Sequence, residues 1–315
     1  MRYYFAPLEG LTDSIYRRLH HTYFGGVDRY YTPFFSPTVH RTLTPREIRE
    51  LLKADTIGFP VVPQLLTKVP EDFLWMAGVC KDLGYEEVNL NVGCPSGTVT
   101  AKGKGAGMLR DLDGLDRFLD SIFSASVLRV SVKTRIGFES PAEFRQILSV
   151  YNQYPITELA IHPRVRTAFY NGPVDMDSID HAVRESKLPL CYNGNLCTKA
   201  DIENIHSKYP KIEAVMLGRG LIADPGLLVS GGTTATALEN FHHALLEEYI
   251  REFGDSRNAM FRMKENWRYW LCKFENSEKL GKRLRKTTDL TEYKAITHEI
   301  FRNLPIREDL QPDWD

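Results

Sequence analysis

Hydrophobic residues in this chain come in short runs, each followed by a stretch with helical spacing. The runs are Tyr3–Leu8, Arg29–Pro33, Val61–Leu66, Val88–Val92, Val130–Arg135, Glu158–His162, Leu188–Asn193 and Ala214–Gly218. Between them lie amphipathic stretches such as Glu71–Asp82, Leu112–Phe123, Ala142–Tyr151 and Lys199–Ser207. Thr12, Thr44, Ser140 and Thr198 stand where helix N-caps belong. Strand followed by helix, repeated, gives a parallel sheet. Eight repeats within about 220 residues predict a closed (β/α)8 TIM barrel.

The runs also show the two-residue period of strands. Val88, Leu90 and Val92 alternate with Asn89 and Asn91. Val130 and Val132 alternate with Ser131, Lys133 and Arg135, and Leu159 and Ile161 alternate with Ala160 and His162. The aliphatic face is expected to meet the surrounding helices and the polar face to look into the barrel. Gln64, Asn91, Lys133, His162 and Asn193 all fall near the C-terminal ends of their runs. Barrel enzymes keep their active sites at that end. One such residue commonly only finishes a strand at the solvent; five from five strands point to a site.

Beyond about residue 235 no strand-like run follows. Ala237–Phe253, Arg257–Phe274 and Leu290–Leu304 read as helices, so the chain is expected to divide into a barrel over 1–234 and a small all-helical domain over 235–315. Between Asp255 and Arg302 there are twelve Lys and Arg against seven Asp and Glu, densest in KLGKRLRK from Lys279 to Lys286. Phe261, Trp267, Tyr269, Trp270 and Phe274 are interleaved. For a single helix this describes a solvated charged face over an aromatic seam; clustered cations also suit a nucleic-acid surface.

Composition narrows the class. The 315 residues are 43% hydrophobic and 26% charged with a net charge of −1, ordinary for a globular protein. Without a global positive charge, any nucleic-acid partner must be met by a local patch. The five cysteines are odd in number and form no C-x-x-C pair, which disfavours a disulfide framework or zinc ribbon and fits a reducing cytoplasm. No signal peptide and no apolar run long enough for a membrane span are expected. No second His or carboxylate stands at ligand spacing from His162, so no metal site is expected, and nothing calls for an obligate protein partner.

Cys94 stands in a Gly-Cys-Pro turn just past the fourth run. Most free cysteines are inert small hydrophobes, as expected of Cys80 in a helical stretch and Cys191 in a strand. Cys94 instead sits where Gly93 permits unusual backbone angles and Pro95 fixes the next one, so its thiol is aimed at the barrel mouth. With an ordinary pKa of about 8.5 it can act as a general acid, and as a nucleophile only beside a base. Lys133 could stabilise an anionic cofactor, form a Schiff base or pair with an acid. His162 could donate to a cofactor or simply finish its strand. The turns YNGNL (Tyr192–Leu196) and MLGRGLI (Met216–Ile222) end the last two runs, where barrels commonly bind phosphate through backbone N–H groups; Arg219 adds a forked donor.

These segments resemble the tRNA-dihydrouridine synthase family. APLEGLTD (Ala6–Asp13), PQLL (Pro63–Leu66), NLNVGCPS with GKGAGML (Gly103–Leu109), VSVKTRIG (Val130–Gly137), ELAIHPRVR (Glu158–Arg166), YNGNL and VMLGRGLIADP (Val215–Pro225) follow in the family's order. The cysteine motif is the most specific of these, and the ordered set is stronger. The resemblance implies reduction of specific tRNA uridines to 5,6-dihydrouridine, with FMN bound, NADPH as reductant, hydride delivered to C6 and a proton from Cys94 to C5. It further implies that Pro7, Leu8, Gln64, Lys133 and His162 border the flavin ring, that Asn193, Gly194, Asn195, Gly218 and Arg219 hold its phosphate, and that Asn91, Arg164, Arg166, Lys102 and Lys104 serve the RNA. The helical domain would bind tRNA. Pro33 replaces a common acidic residue, HPRVR departs from His-Gly-Arg-Thr, and Asn266 stands where a histidine is usual; these mark a divergent branch. An FMN barrel reducing free pyrimidines, of dihydroorotate or dihydropyrimidine type, is the nearest alternative. A Schiff-base aldolase using Lys133 and a non-catalytic RNA-binding barrel are more distant ones.

Overall fold

A computed structural model describes residues 1–38, 40–52, 58–308, 310 and 312. The strands are β1 (Arg2–Phe5), β2 (Arg29–Tyr31), β3 (Val61–Val62), β4 (Gln64–Leu65), β5 (Glu87–Val92), β6 (Arg129–Arg135), β7 (Leu159–His162), β8 (Leu190–Tyr192) and β9 (Ala214–Leu217). All pair in parallel in the order β3-β2-β1-β9-β8-β7-β6-β5-β4. The two edge strands, β3 and β4, are halves of one run. Val61 and Val62 pair with Tyr30 and Tyr31, while Gln64 and Leu65 pair with Asn89 and Leu90. The uninterrupted third strand expected over Val61–Leu66 is therefore divided at Pro63, which has no N–H for a ladder. Since one run pairs on both sides, the sheet closes into the expected (β/α)8 barrel.

The helices are α1 (Ser14–Tyr23), α2 (Pro45–Leu51), α3 (Pro70–Asp82), α4 (Gly97–Thr100), α5 (Leu112–Ala125), α6 (Phe144–Tyr151), α7 (Met176–Glu185), α8 (Lys199–Lys208), α9 (Arg219–Ala223), α10 (Ala235–Phe253), α11 (Ser256–Trp270), α12 (Glu278–Lys286) and α13 (Leu290–Asn303). Thr44 caps α2 and Ser140 caps the 3-10 turn leading into α6, each in a reciprocal capping box. Thr198 Oγ1 accepts from Asp201 N at the start of α8. Thr12 is not the cap of α1: Asp13 is, accepting from Tyr16 N. Carboxylates and hydroxyls compete for this role, and Asp13 stands one residue closer to the helix.

The chain divides into two compact units. Met1–Glu9, Asp28–Gly194 and Asn204–Met216 form one; Gly10–Val27, Asn195–Glu203 and Leu217–Asp315 form the other. In the first, Tyr4, Ala6, Tyr31, Val62, Ala160, Cys191, Ala214 and Met216 make one buried cluster, with Leu8 packed on it. They come from six strands at two-residue spacing, so this is the barrel interior. Cys80 and Cys191 are buried, and burial pushes both thiols up.

The second unit carries α10–α13. Trp267, Trp270, Phe241, Met260 and Ile300 are buried in it. The helix expected over Arg257–Phe274 ends at Trp270 and finishes as a 3-10 turn, Leu271–Lys273. KLGKRLRK, expected only as a basic run, lies within helix α12. Leu280, Gly281 and Leu284 are its buried face, while Lys279, Lys282, Arg283, Arg285 and Lys286 are exposed. No helix among the described residues is long and apolar enough to cross a membrane.

Candidate active site

The Gly-Cys-Pro turn is built from the strands around it. Asn91 is buried near the end of β5, and its Oδ1 accepts from Gly93 N at 3.0 Å and Cys94 N at 2.8 Å. Its Nδ2 donates to Gln64 Oε1 at 2.8 Å; Gln64 Nε2 donates to Asn89 Oδ1 at 2.8 Å; Asn89 Nδ2 donates to Ser131 Oγ at 3.0 Å. Four polar side chains from β4, β5 and β6 thus satisfy one another, so each amide orientation is set by the next. From β6, Arg135 Nε donates to Gly93 O at 2.9 Å. From the following loop, Ala106 N donates to Cys94 O at 3.1 Å. Gly105 has φ +56°, and a Cβ there would lie 2.9 Å from Cys94 O and 3.0 Å from Cys94 Cβ. The loop closes against the cysteine only because that side chain is missing.

Cys94 is partly buried, and burial raises its thiol pKa; the Ser96 backbone and the charges of Arg135 and Lys133 oppose the rise without cancelling it. The thiol therefore keeps its proton at neutral pH, and a thiolate formed there has two cations nearby.

Lys133 faces Asn91 in the β5–β6 register. Its pKa is pushed down to about 8, first by burial and then by the charge of Arg135. Among the described residues its side chain makes no hydrogen bond or ion pair. A half-buried ammonium in that condition favours a nearby anion strongly. Pro7 and Leu8 follow β1, both half-buried, with Leu8 on the interior cluster.

His162 ends β7. Its Nε2 lies 3.1 Å from Arg164 Nη1, and its ring is 5.9 Å from that of Tyr170. Arg164 is buried, and its Nε donates to the Asn171 and Gly172 carbonyls at 3.2 and 3.1 Å. That guanidinium is thus engaged in shaping the 169–172 loop. Arg166 lies farther along, against Phe138 and Phe169. Lys104 Nζ donates to Ser36 Oγ at 2.9 Å, whereas Lys102 is exposed.

At the end of β8, Asn193 is buried and its Nδ2 donates to Met216 O at 2.7 Å; Gly194 follows, closely surrounded by Tyr192, Val174 and Pro163. These belong to the first unit. Asn195, at φ +39°, and Gly218 and Arg219 belong to the second. There Gly218 stands at the N-cap of α9 without a side-chain cap, and a Cβ on Gly220 would lie 2.1 Å from Leu196 O. This close approach places the Leu196–Cys197 backbone against the start of α9.

The structure therefore gathers Gln64, Asn91, Cys94, Lys133, His162 and Arg164 on adjoining strand ends of the barrel. Asn89, Gly105 and the clamping role of Arg135 were not expected as parts of the site. Asn89 and Arg135 do lie on the inward face that the alternation marks, so period two was the signal for both; nothing local marks Gly105.

Comparison with known proteins agrees with this geometry. The model of the dihydrouridine synthase (Dus) family matches residues 4–303. tRNA-dihydrouridine synthase B of Pasteurella multocida is 26% identical over 227 residues, covering 72% of this chain and 67% of that protein. tRNA-dihydrouridine(16) synthase of Shigella flexneri is 31% identical over 237 residues, covering 72% and 74%. Among solved structures, the old yellow enzyme homologue of Zymomonas mobilis superposes with a TM-score of 0.53 over 72% of this chain and 86% of that one, at 11% identity, a likeness of fold alone. With the match running across the barrel and the C-terminal helices, this chain belongs to the dihydrouridine synthase family.

Proposed function

We propose that this protein reduces specific uridines of tRNA to 5,6-dihydrouridine, using bound FMN and NADPH. The observation that carries this reading is Cys94: the turn that bears it is held just past β5 by Asn91, Arg135 and the Ala106 backbone, and burial keeps its thiol protonated. Bound FMN, with NADPH as its reductant, would supply hydride chemistry at C6 of the uracil. Cys94 then gives its proton to C5: the S–H bond breaks as the C5–H bond forms. The thiolate left behind is stabilised by Arg135 and Lys133, whose charges act on it, and takes its next proton from solvent.

The residues present fit a flavin. Lys133 is an ammonium without an anion among the described residues and would face the N1/O2 side of the ring. Gln64 and His162 offer polar atoms beside it, and Ala6, Ala160 and Ala214 keep the barrel interior low. Pro7 and Leu8 would lie along the ring. Asn91 and Arg164 are the candidates for the uracil. The target uridine must leave its stack to reach Cys94, as bases do for other modifying enzymes.

Residues 1–234 would be the catalytic domain and 235–315 the tRNA-binding one. The exposed cations of α12 support the latter, since phosphates reward clustered Lys and Arg. The named relatives are tRNA enzymes, which supports the same substrate. None of the five cysteines is in a disulfide, in keeping with a reducing cytoplasm.

Purified protein incubated with FMN, NADPH and tRNA lacking modifications is expected to yield dihydrouridine by nucleoside mass spectrometry. Cys94→Ala should lose most of that product while still binding flavin. A flavin-bound wild type that yields no product from any tRNA overturns the substrate assignment and leaves free pyrimidines as the next test.

A further inference from the structure

In the first unit, the segment after β7 carries a feature that the proposed chemistry does not use. Phe169 and Tyr170 are 40% and 47% exposed. Phe169 sits at φ +50°, ψ −106°, a conformation that costs a bulky residue free energy and persists only where the surroundings impose it. They do impose it. Arg166 N donates to Gly137 O at 2.9 Å, Thr167 N to Phe138 O at 3.1 Å and Phe169 N to Arg166 O at 3.1 Å. Arg164 holds the carbonyls of Asn171 and Gly172. The loop is tied on both sides of an aromatic ring that faces solvent.

One guanidinium lies beside that ring, and a second shares the neighbouring Phe138 ring with it. Arg166 lies 4.8 Å from the Phe169 ring and 5.4 Å from the Phe138 ring, and Arg110 lies 3.7 Å from the Phe138 ring. Phe138 itself is buried. Among the described residues neither side chain makes a hydrogen bond or ion pair, and Arg166 Nε is buried without a partner. Two cations packed on aromatic faces, with their N–H groups unspent, form a receptor for an anion. The cluster stands beside the catalytic turn: a Cβ on Gly97, three residues past Cys94, would be 3.8 Å from Arg166 Nη2.

We propose that this cluster is a docking platform for one unpaired nucleotide of the RNA neighbouring the target uridine, its base stacked on Phe169 and its phosphate held by Arg110 and Arg166. The proposal rests on the function proposed above and adds to it a second nucleotide contact. An exposed aromatic beside guanidinia is the combination that single-stranded nucleic acid rewards: the base supplies a π-face and the backbone a charge. An apolar partner would leave both guanidinia unspent, and a free anion would leave the ring bare. A uridine pulled from its stack uncovers the faces of its neighbours, so a base able to stack elsewhere is available at this place in the reaction.

The test uses the full chain, unmodified tRNA transcript as the probe, and binding measured by fluorescence anisotropy over a range of salt. Phe169→Ala is expected to weaken the Kd for tRNA by about tenfold or more, Phe169→Trp to restore it and Phe169→Leu not to. Arg110→Gln is expected to flatten the slope of log Kd against log salt by about one unit. Thermal unfolding of each variant alongside wild type identifies any loss of fold; should Phe169→Ala unfold, Phe169→Leu and Arg110→Gln carry the test. Dihydrouridine formed by the wild type, with wild-type Kd and salt slope in folded Phe169→Ala and Arg110→Gln, would overturn the platform alone. A wild type that binds tRNA yet forms no dihydrouridine would overturn the function on which it rests.

Discussion

Asn91 Oδ1 lies 2.8 Å from the backbone nitrogen of Cys94, so a side chain near the end of β5 fixes the direction of the turn that bears the thiol. Because Gln64 engages the other end of the same amide, Asn91 cannot rotate without leaving Gln64 Oε1 and the Gly93 and Cys94 N–H groups unsatisfied. Asn91→Ala is expected to lower the rate of dihydrouridine formation roughly 100-fold, the scale of loss when a reacting group is misplaced by about an ångström. Asn91→Asp keeps the acceptor for both N–H groups and is expected to recover part of that loss in single-turnover rates. Equal loss in both variants would instead assign the amide itself to the uracil.

Lys133 has a pKa near 8 because burial and Arg135 disfavour its charge. An acceptor such as the N1/O2 edge of the ring, taking a hydrogen bond from the ammonium, raises that pKa, so above pH 8 binding must draw in a proton. FMN affinity is accordingly expected to hold steady below pH 8 and to weaken above it, by roughly tenfold per pH unit at most. Lys133→Met should bind FMN more weakly and without that alkaline limb. Flavin fluorescence titrations from pH 7 to 9 give both curves; a limb unchanged in Lys133→Met excludes this lysine as its source.

The second unit holds a buried ion pair, Lys273 Nζ to Asp224 Oδ2 at 2.6 Å, with both side chains at most 5% exposed. Lys273 also donates to Glu308 O at 3.0 Å, and Asp224 accepts from Thr233 Oγ1. Removing one partner strands the other charge in a dry interior. Lys273→Met is expected to cost roughly 3–5 kcal/mol in urea unfolding, and adding Asp224→Leu to return a good part of it. A loss below about 1 kcal/mol for Lys273→Met would mean that water reaches the pair.

Two histidines of the second unit are fully buried, His20 against Pro225 O and His242 against the Tyr293 hydroxyl. Burial pushes both down to about 3. Their unfolded pKa is about 6.5, so below that pH the unfolded chain binds protons that the folded one refuses, and stability falls with pH. Between pH 7.5 and 5.5 each is expected to cost roughly 1 kcal/mol. Denaturant titrations at the two pH values measure it, and His242→Gln should remove about half of the difference.

Much of this was readable in the residues because it is local. A two-residue period is a property of a strand by itself, so the inward set of Asn89, Asn91, Ser131, Lys133, Arg135 and His162 and the barrel that their repetition implies could be read without a third dimension. The same holds for the capping boxes at Thr44 and Ser140, where donor and acceptor stand three residues apart. The Gly-Cys-Pro turn announced an unusual cysteine, since Gly93 and Pro95 act on the backbone beside it.

What only the tertiary structure decided is where the long-range acceptors and faces fall. Arg135 could be placed on the inward face, but its bond to Gly93 O joins residues far apart in sequence, and no pattern encodes which carbonyl a guanidinium will find. Arg164 turns to Asn171 and Gly172, and Gly105 is demanded by the Cβ of Cys94 across a loop. The α12 helix escaped a reading by charge because its apolar face is only Leu280, Gly281 and Leu284, and burial of that narrow stripe depends on neighbouring helices rather than on its own nine residues. Period and turn chemistry are carried by adjacent residues; hydrogen bonds and burial between distant ones exist only after the chain has closed on itself.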